Sequence, residues 1–373
     1  MDRDINTLWA LVAGLTLFVA NVGVIVMVEG LTRRRRVLTV SARYIAGTSG
    51  AVFGAIGISR LDLPWLNATA NATAADGVAL DSNAQLFVGV ASSVLLTTLV
   101  VAGLAERATV LAHLLVGLLM GGFLGPLSAS SLQPEGSLSA IEIGESGFVD
   151  AAAASVFALA GLSALIGAVV VGPRRGRSDK DGKVRFIPGK SMPAAAIGAL
   201  LTFPMLVGVL ARPGSGWNDA IVDAALVMVL GGAAGAVSGI LVSQMILGRV
   251  GVIHVLHGLL AGLVATTGDP FNSNLIEAVI FGAVGAAIAL AVLQYLSSVQ
   301  IDDPVGIISV FGAAGIWGSL TVGFSNGDQF LAQVVGIVLI VSIAAIVAGA
   351  LFGLLRILRL LRVRTDIEVV GLE

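Results

Sequence analysis

The 373-residue chain contains no cysteine. It therefore has no disulfide, no thiolate metal site and no cysteine nucleophile. Histidine is almost as scarce: three residues leave little material for acid–base chemistry or a metal centre. Charged residues make up 12% of the chain, half the roughly 25% of a soluble domain, which excludes an ordinary cytosolic enzyme. The net charge is -2. No basic stretch is interleaved with aromatics, so nucleic acid is not expected as a partner. Walker A, HExxH and a strand–helix GxSxG are all missing, so no enzyme chemistry, cofactor or metal is expected. The 48 glycines follow no G-X-Y period, which excludes a collagen.

What is there is apolar. Hydrophobic residues make up 57% of the chain, and the mean hydropathy is +0.99. A bilayer core about 30 Å thick takes about 20 apolar residues per helix. The abundant glycine suits closely packed transmembrane helices. Apolar windows fall at 7–31, 37–59, 85–105, 108–130, 149–172, 191–211, 218–246, 251–268, 275–296, 304–325 and 330–361. They predict an all-α integral membrane protein of about eleven transmembrane helices in a lipid bilayer. The start, Met1-Asp2-Arg3-Asp4, has no basic n-region, so the first window reads as a span rather than a cleaved signal.

Charge sets the expected sidedness. With eleven spans, 17 of the 21 basic residues fall on one side: Arg33 to Arg36, Arg107, the basic residues of 173–190, Arg249, Arg356, Arg359, Arg362 and Arg364. Arg43 lies close by, and only Arg3, Arg60 and Arg212 fall opposite. The positive-inside rule then puts the N-terminus outside and the C-terminus inside. The outer loops are acidic, with Asp62, Asp76, Asp81, Glu135, Glu142, Glu145, Asp219, Asp269 and Asp328. Such a face either concentrates cations or simply solvates the exterior. Asn67-Ala-Thr69 and Asn71-Ala-Thr73 are glycosylation acceptors only where that machinery exists.

The polar loop 173–190 divides the single transmembrane domain, 1–373, into five-helix halves, 1–172 and 191–325, followed by a last helix at 330–361. An odd number of spans per half makes the repeats inverted in the membrane, with any path near the midplane between them. Identity between the halves is too weak to register.

Ionisable residues within spans are functional candidates. His254 and His257 lie three apart, on one face of the eighth window. They could relay a proton or bind a polar solute; the alternative is that each bonds a neighbouring helix or sits at the interface near Arg249. His113 stands alone and reads as structural. Asp150 and Glu277 open spans, where a carboxylate caps or suits the dipole. Asp223 sits one turn into the seventh span, where an outer vestibule and a capping role compete. Glu29 and Arg33 are spaced for an i,i+4 pair.

Particular segments resemble the ammonium transporter/Rhesus family. Ile301-Asp302-Asp303-Pro304, followed by Val310-Phe311-Gly312-Ala313-Ala314-Gly315-Ile316-Trp317-Gly318, is similar to that family's tenth-helix signature. The start (Trp9, Gly23, Gly30-Leu31, then Arg33-Arg34 and Val37-Leu38), Leu104-Ala105-Glu106-Arg107 and Gly258-Leu259-Leu260-Ala261-Gly262-Leu263-Val264 resemble it too. The likeness covers nearly the whole chain. It implies a homotrimer in the plasma membrane with a narrow, dry pore in each protomer for ammonia or ammonium. Facing histidines on the fifth and tenth helices line the family's pore. Here the tenth-helix position falls on Phe311, and anchoring on Ala160-Gly161 puts the other at Phe157. Gly306 stands where the family usually has Asp, and the loop after the fourth span has no Trp for an outer site.

The expected pore-lining residues are thus Phe157, Phe311, Phe87 at the outer vestibule, His254, His257 and Trp317. Asp150, Asp302 and Asp303 are expected to be structural or capping. The resemblance implies an inherited ammonia/ammonium permeation, altered or impaired by the two phenylalanines. The alternatives are a non-conducting structural or sensory trimer, or a channel for another small neutral solute.

Overall fold

The computed structural model describes residues 2–33, 37–61, 82–131, 142–143, 146–177, 184–185, 187–210 and 219–364. Asn67 and Asn71, much of the acidic loops and part of the 173–190 linker lie outside these residues. The chain order is α1 (Asp2–Leu31), α2 (Val37–Ser59), α3 (Ser82–Ala102), α4 (Val110–Ser131), a hairpin of β1 (Glu142–Ile143) and β2 (Ser146–Gly147), and α5 (Leu159–Val171). Then come α6 (Met192–Leu200), α7 (Met205–Leu210), α8 (Asp219–Leu247), α9 (Val252–Ala265), α10 (Leu275–Ser298), α11 (Ala314–Ser325) and α12 (Phe330–Ile357). π-helical turns at Ala153–Ala158 and Ile307–Ala313 lead directly into α5 and α11.

Among the described residues, eight helical segments are long and apolar enough to cross a membrane: α1, α3, α4, α5 with its π turn, α8, α10, α11 with its π turn, and α12. α9 is apolar but spans 14 residues. The continuous span expected at 191–211 is broken. Pro204 cannot extend the amide ladder and disfavours helix at the residue before it, so the chain turns at 201–204 between α6 and α7. The Thr202 hydroxyl donates back to Ala199 O at 2.6 Å there. Likewise the helix in the window 251–268 ends at Ala265, where the Thr266 and Thr267 hydroxyls donate to Leu263 O and Val264 O at 3.0 and 2.7 Å. The last helix stops at Ile357 rather than continuing to 361, and Arg359 takes a left-handed backbone with φ 59°. α10 opens with a reciprocal capping box between Asn274 and Glu277, so Glu277 sits at a helix start as expected.

Glycine lets the helices touch at their backbones. A methyl group on Gly117 would strike Gly47 O, across the α4–α2 contact, and one on Gly235 or Gly258 would strike the other helix of the α8–α9 pair. This is small-residue packing of the kind that replaces the hydrophobic effect inside a bilayer. Large apolar side chains such as Leu8, Phe53, Leu241, Ile276 and Ile346 point outward, as a lipid-facing surface requires.

Candidate functional site

The two spans that carry the phenylalanines are built alike. Asp150 lies just before the first π turn. Its carboxylate accepts from Ala154 N and Ser155 N, both at 2.9 Å, and from the Ser155 hydroxyl at 2.6 Å. Asp303 does the same for the second turn, accepting from Ser309 N at 3.0 Å and the Ser309 hydroxyl at 2.9 Å. In each case a side chain satisfies amides that the turn itself leaves unpaired. Both carboxylates are thus taken up in holding their π turns.

The likeness extends to sequence. Ser155-Val156-Phe157-Ala158-Leu159-Ala160-Gly161 and Ser309-Val310-Phe311-Gly312-Ala313-Ala314-Gly315 share five of seven residues in register. Their contacts are reciprocal. A methyl group on Gly161 would strike Gly312, and one on Gly315 would strike Ala158. Since Gly161 matches Gly315 and Ala158 matches Gly312, the two segments face each other about a local two-fold axis. Phe157 and Phe311 meet there, with ring centroids 5.7 Å apart and planes tilted by 43°. Their exposures are 0% and 1%, so both rings lie inside the helix bundle rather than toward lipid. π-helical turns recur at functional sites, and here both aromatic residues sit on one.

The other candidates fall elsewhere. Phe87 packs its ring on Gly14 of α1 and lies 5.8 Å from Phe18. The Trp317 indole donates to Phe281 O at 3.0 Å and contacts the Phe281 and Phe324 rings, not the Phe157–Phe311 pair. His257 is buried at 2% exposure against Gly306, whose lack of a side chain leaves room for the ring. His254, one turn earlier, is half-buried. His113 is structural: its Nδ1 lies 2.8 Å from Thr109 O, and its ring meets Tyr44 edge-on. Asp223 lies exposed in the second turn of α8.

The basic loops converge on one end of the molecule, around two acids. Asp302 takes Arg174 as a fork, with Nε at 2.8 Å and the second nitrogen at 3.2 Å, and Arg177 Nε at 3.5 Å. Glu106 takes Arg33 at 3.3 Å and Arg174 at 3.6 Å. The Glu29–Arg33 pair expected from spacing does not form: Arg33 turns to Glu106, and Glu29 accepts from the Ser41 hydroxyl instead. Arg107, wholly buried, donates to Gly172 O at 2.9 Å, and Arg362 donates to Val171 O at 2.8 Å. Burial works against the charge on Asp302, but Arg174 and then Arg107 hold its carboxyl at about 2. Burial lowers Arg107 to about 10 and raises Asp303, whose bonds from Ser309 only partly offset it. Adjacent aspartates thus differ in kind: one is an ion-pair anchor, the other a cap.

Ser155, Ser309 and the Glu106 anchor escape a reading by span. The repeated Ser-Val-Phe was the signal for the two serines.

The pattern of the Ammonium Transporter Family matches residues 8–373. Ammonium transporter Amt1 of Haloferax mediterranei is 32% identical over 301 residues, which is 74% of this chain and 58% of the relative. A putative ammonium transporter of Synechocystis is 29% identical over 86% of this chain and 61% of its own length. The chain thus spans about three-fifths of the length of these two relatives. Among solved structures, a sensor Amt protein shares the fold with a TM-score of 0.85 at 21% identity, covering 99% of this chain and 97% of that one. The Rh50 protein of Nitrosomonas europaea does so with a TM-score of 0.76 at 13% identity, over 95% and 89% of the two chains.

Proposed function

The chain belongs to the ammonium transporter family of integral membrane proteins, and from that premise we propose that it is a channel-type protein whose inherited ammonia/ammonium path is closed at Phe157 and Phe311. One observation carries this reading: the two rings, on matched π turns, are buried against each other at 5.7 Å. A cation pays heavily to enter a low-dielectric tube, whereas a neutral solute needs only a few hydrogen-bond partners. A phenyl ring offers no such partner. Each aromatic buries about 150–250 Å², enough to fill a conduit one molecule wide.

The wider arrangement follows the same proposal. All eleven segments cross the plasma membrane, with α6 and α7 making one broken crossing. The N-terminus lies outside and the C-terminus inside. The halves 1–172 and 191–325 are inverted repeats, and three copies assemble. The local two-fold relation of the π turns supports the inverted halves. The convergence of Arg33, Arg107, Arg174, Arg177 and Arg362 at one end supports the sidedness.

The test is ammonia flux and methylammonium uptake in proteoliposomes. The wild-type chain is expected to stay close to empty liposomes, and the double replacement Phe157→His with Phe311→His to raise flux well above it. Wild-type flux at the rate of a transporting relative would overturn the closure. If both proteins stay at background, the reading moves to a non-conducting structural or sensory trimer, the role that a sealed path favours.

A further inference from the structure

His257 is anomalous. It lies at 2% exposure in an apolar helix, yet neither ring nitrogen has a hydrogen-bond partner among the described residues. The backbone of Val305 lies near the ring without completing a bond. A neutral imidazole carries one donor and one acceptor, and burying such groups unpaired is costly. Core histidines normally avoid this cost, as His113 does by bonding Thr109 O.

The seat of the ring is specifically shaped. Gly306 adopts φ +79°, a left-handed conformation that favours glycine. A methyl group there would lie 2.7 Å from two atoms of the imidazole. On the opposite side, Gly239 and Gly258 press α9 against α8, which fixes the helix that carries the ring. His254 lies one turn nearer the surface, half-buried, and its Nδ1 is also buried without a partner. His257 thus rests on Gly306, which lies in sequence between Asp302 and Phe311, with His254 one turn nearer the surface.

We propose that His257, with His254 at its mouth, forms a binding site for a small neutral hydrogen-bonding amine, ammonia or methylamine, on the Arg174 side of the Phe157–Phe311 pair. The solute supplies a partner that the protein withholds: its lone pair accepts from the protonated ring nitrogen, or its N–H donates to the unprotonated one. The proposal rests on the channel reading for its solute class but not on conduction, because the site lies to one side of the closure.

The chain has three histidines, so imidazole nitrogens can be followed individually by NMR of ¹⁵N-histidine-labelled protein in nanodiscs. Ammonium chloride is titrated against sodium chloride at constant pH and ionic strength. The His257 nitrogens are expected to shift saturably and those of His113 to stay put. His257→Leu should remove saturable binding of labelled methylamine, and His257→Asn, which keeps a donor and an acceptor, should retain part of it. Gly306→Ala should weaken it by displacing the ring. His257 resonances that ignore ammonium while His113 reports a folded protein would overturn the site, as would methylamine binding unchanged in a folded His257→Leu. A saturable His257 response without flux would support the site while conduction fails. Flux without that response would retain the channel and discard the site.

Discussion

At the scale of single residues, Asp302 contributes most to holding the loops together. It binds Arg174 and Arg177 and lies beside the buried Arg107. A buried ion pair adds little net stability, but removing one partner leaves the other stranded and costs about 3–5 kcal/mol. Asp302→Ala should therefore lower the unfolding temperature in detergent sharply, and Arg174→Met with Asp302→Leu should restore much of it. The pH dependence has a definite sign. The folded carboxyl titrates at about 2, below its usual 3.8. Its contribution is therefore complete above the usual value and is lost as pH falls through the interval down to about 2. Thermal unfolding measured from about pH 5 to about pH 2.5 should fall more steeply for the wild type than for Asp302→Asn. None of this pairing is legible in sequence, because Asp302 lies 128 residues from Arg174. The spacing of Glu29 and Arg33 even suggests a different pair; a more buried acid, Glu106, takes the arginine.

At the scale of elements, most helices are legible because apolar length alone announces them. The failures have local causes. Pro204 splits one window, and another holds a helix of 14 residues. The π turns have no signature in hydropathy, since a widened turn leaves the apolar pattern intact. The short Ser-Val-Phe repeat was in plain view, but whole-half similarity is too diffuse to draw the eye to it. The Ser-Val-Phe repeat makes a quantitative prediction. Ser155→Ala and Ser309→Ala remove equivalent bonds from Asp150 and Asp303, so each should cost about 1–2 kcal/mol, and the two values should agree closely in chemical denaturation. Gly161→Val should cost about 1–3 kcal/mol or more through overpacking, because its side chain would strike the Gly312 backbone. A Gly161→Val protein as stable as the wild type would argue against the close approach of the two turns.

At the scale of the molecule, the charge asymmetry is the best guide the sequence offers. Five arginines from distant loops do collect at one end with Glu106 and Asp302. Which side of the membrane that end faces is open to direct labelling, and the absence of cysteine makes the experiment clean. Asn326→Cys and Leu358→Cys lie at opposite ends of α12 and are both exposed. In intact cells a membrane-impermeant maleimide should modify Asn326→Cys at once and Leu358→Cys only after permeabilisation. The reverse order would invert the proposed topology. The family resemblance was readable from motifs in order. The way Phe157 and Phe311 share a single space was not, because no one-dimensional pattern records a mutual contact.

That shared space couples the two positions. Each phenyl packs against the other, so under the proposed closure trimming one would hand its room to the survivor and leave the path shut. Under the proposed closure, neither Phe157→His nor Phe311→His alone should raise flux above the wild type, and only the double replacement should. On that reading the two positions act as one latch, opened only when both are changed together.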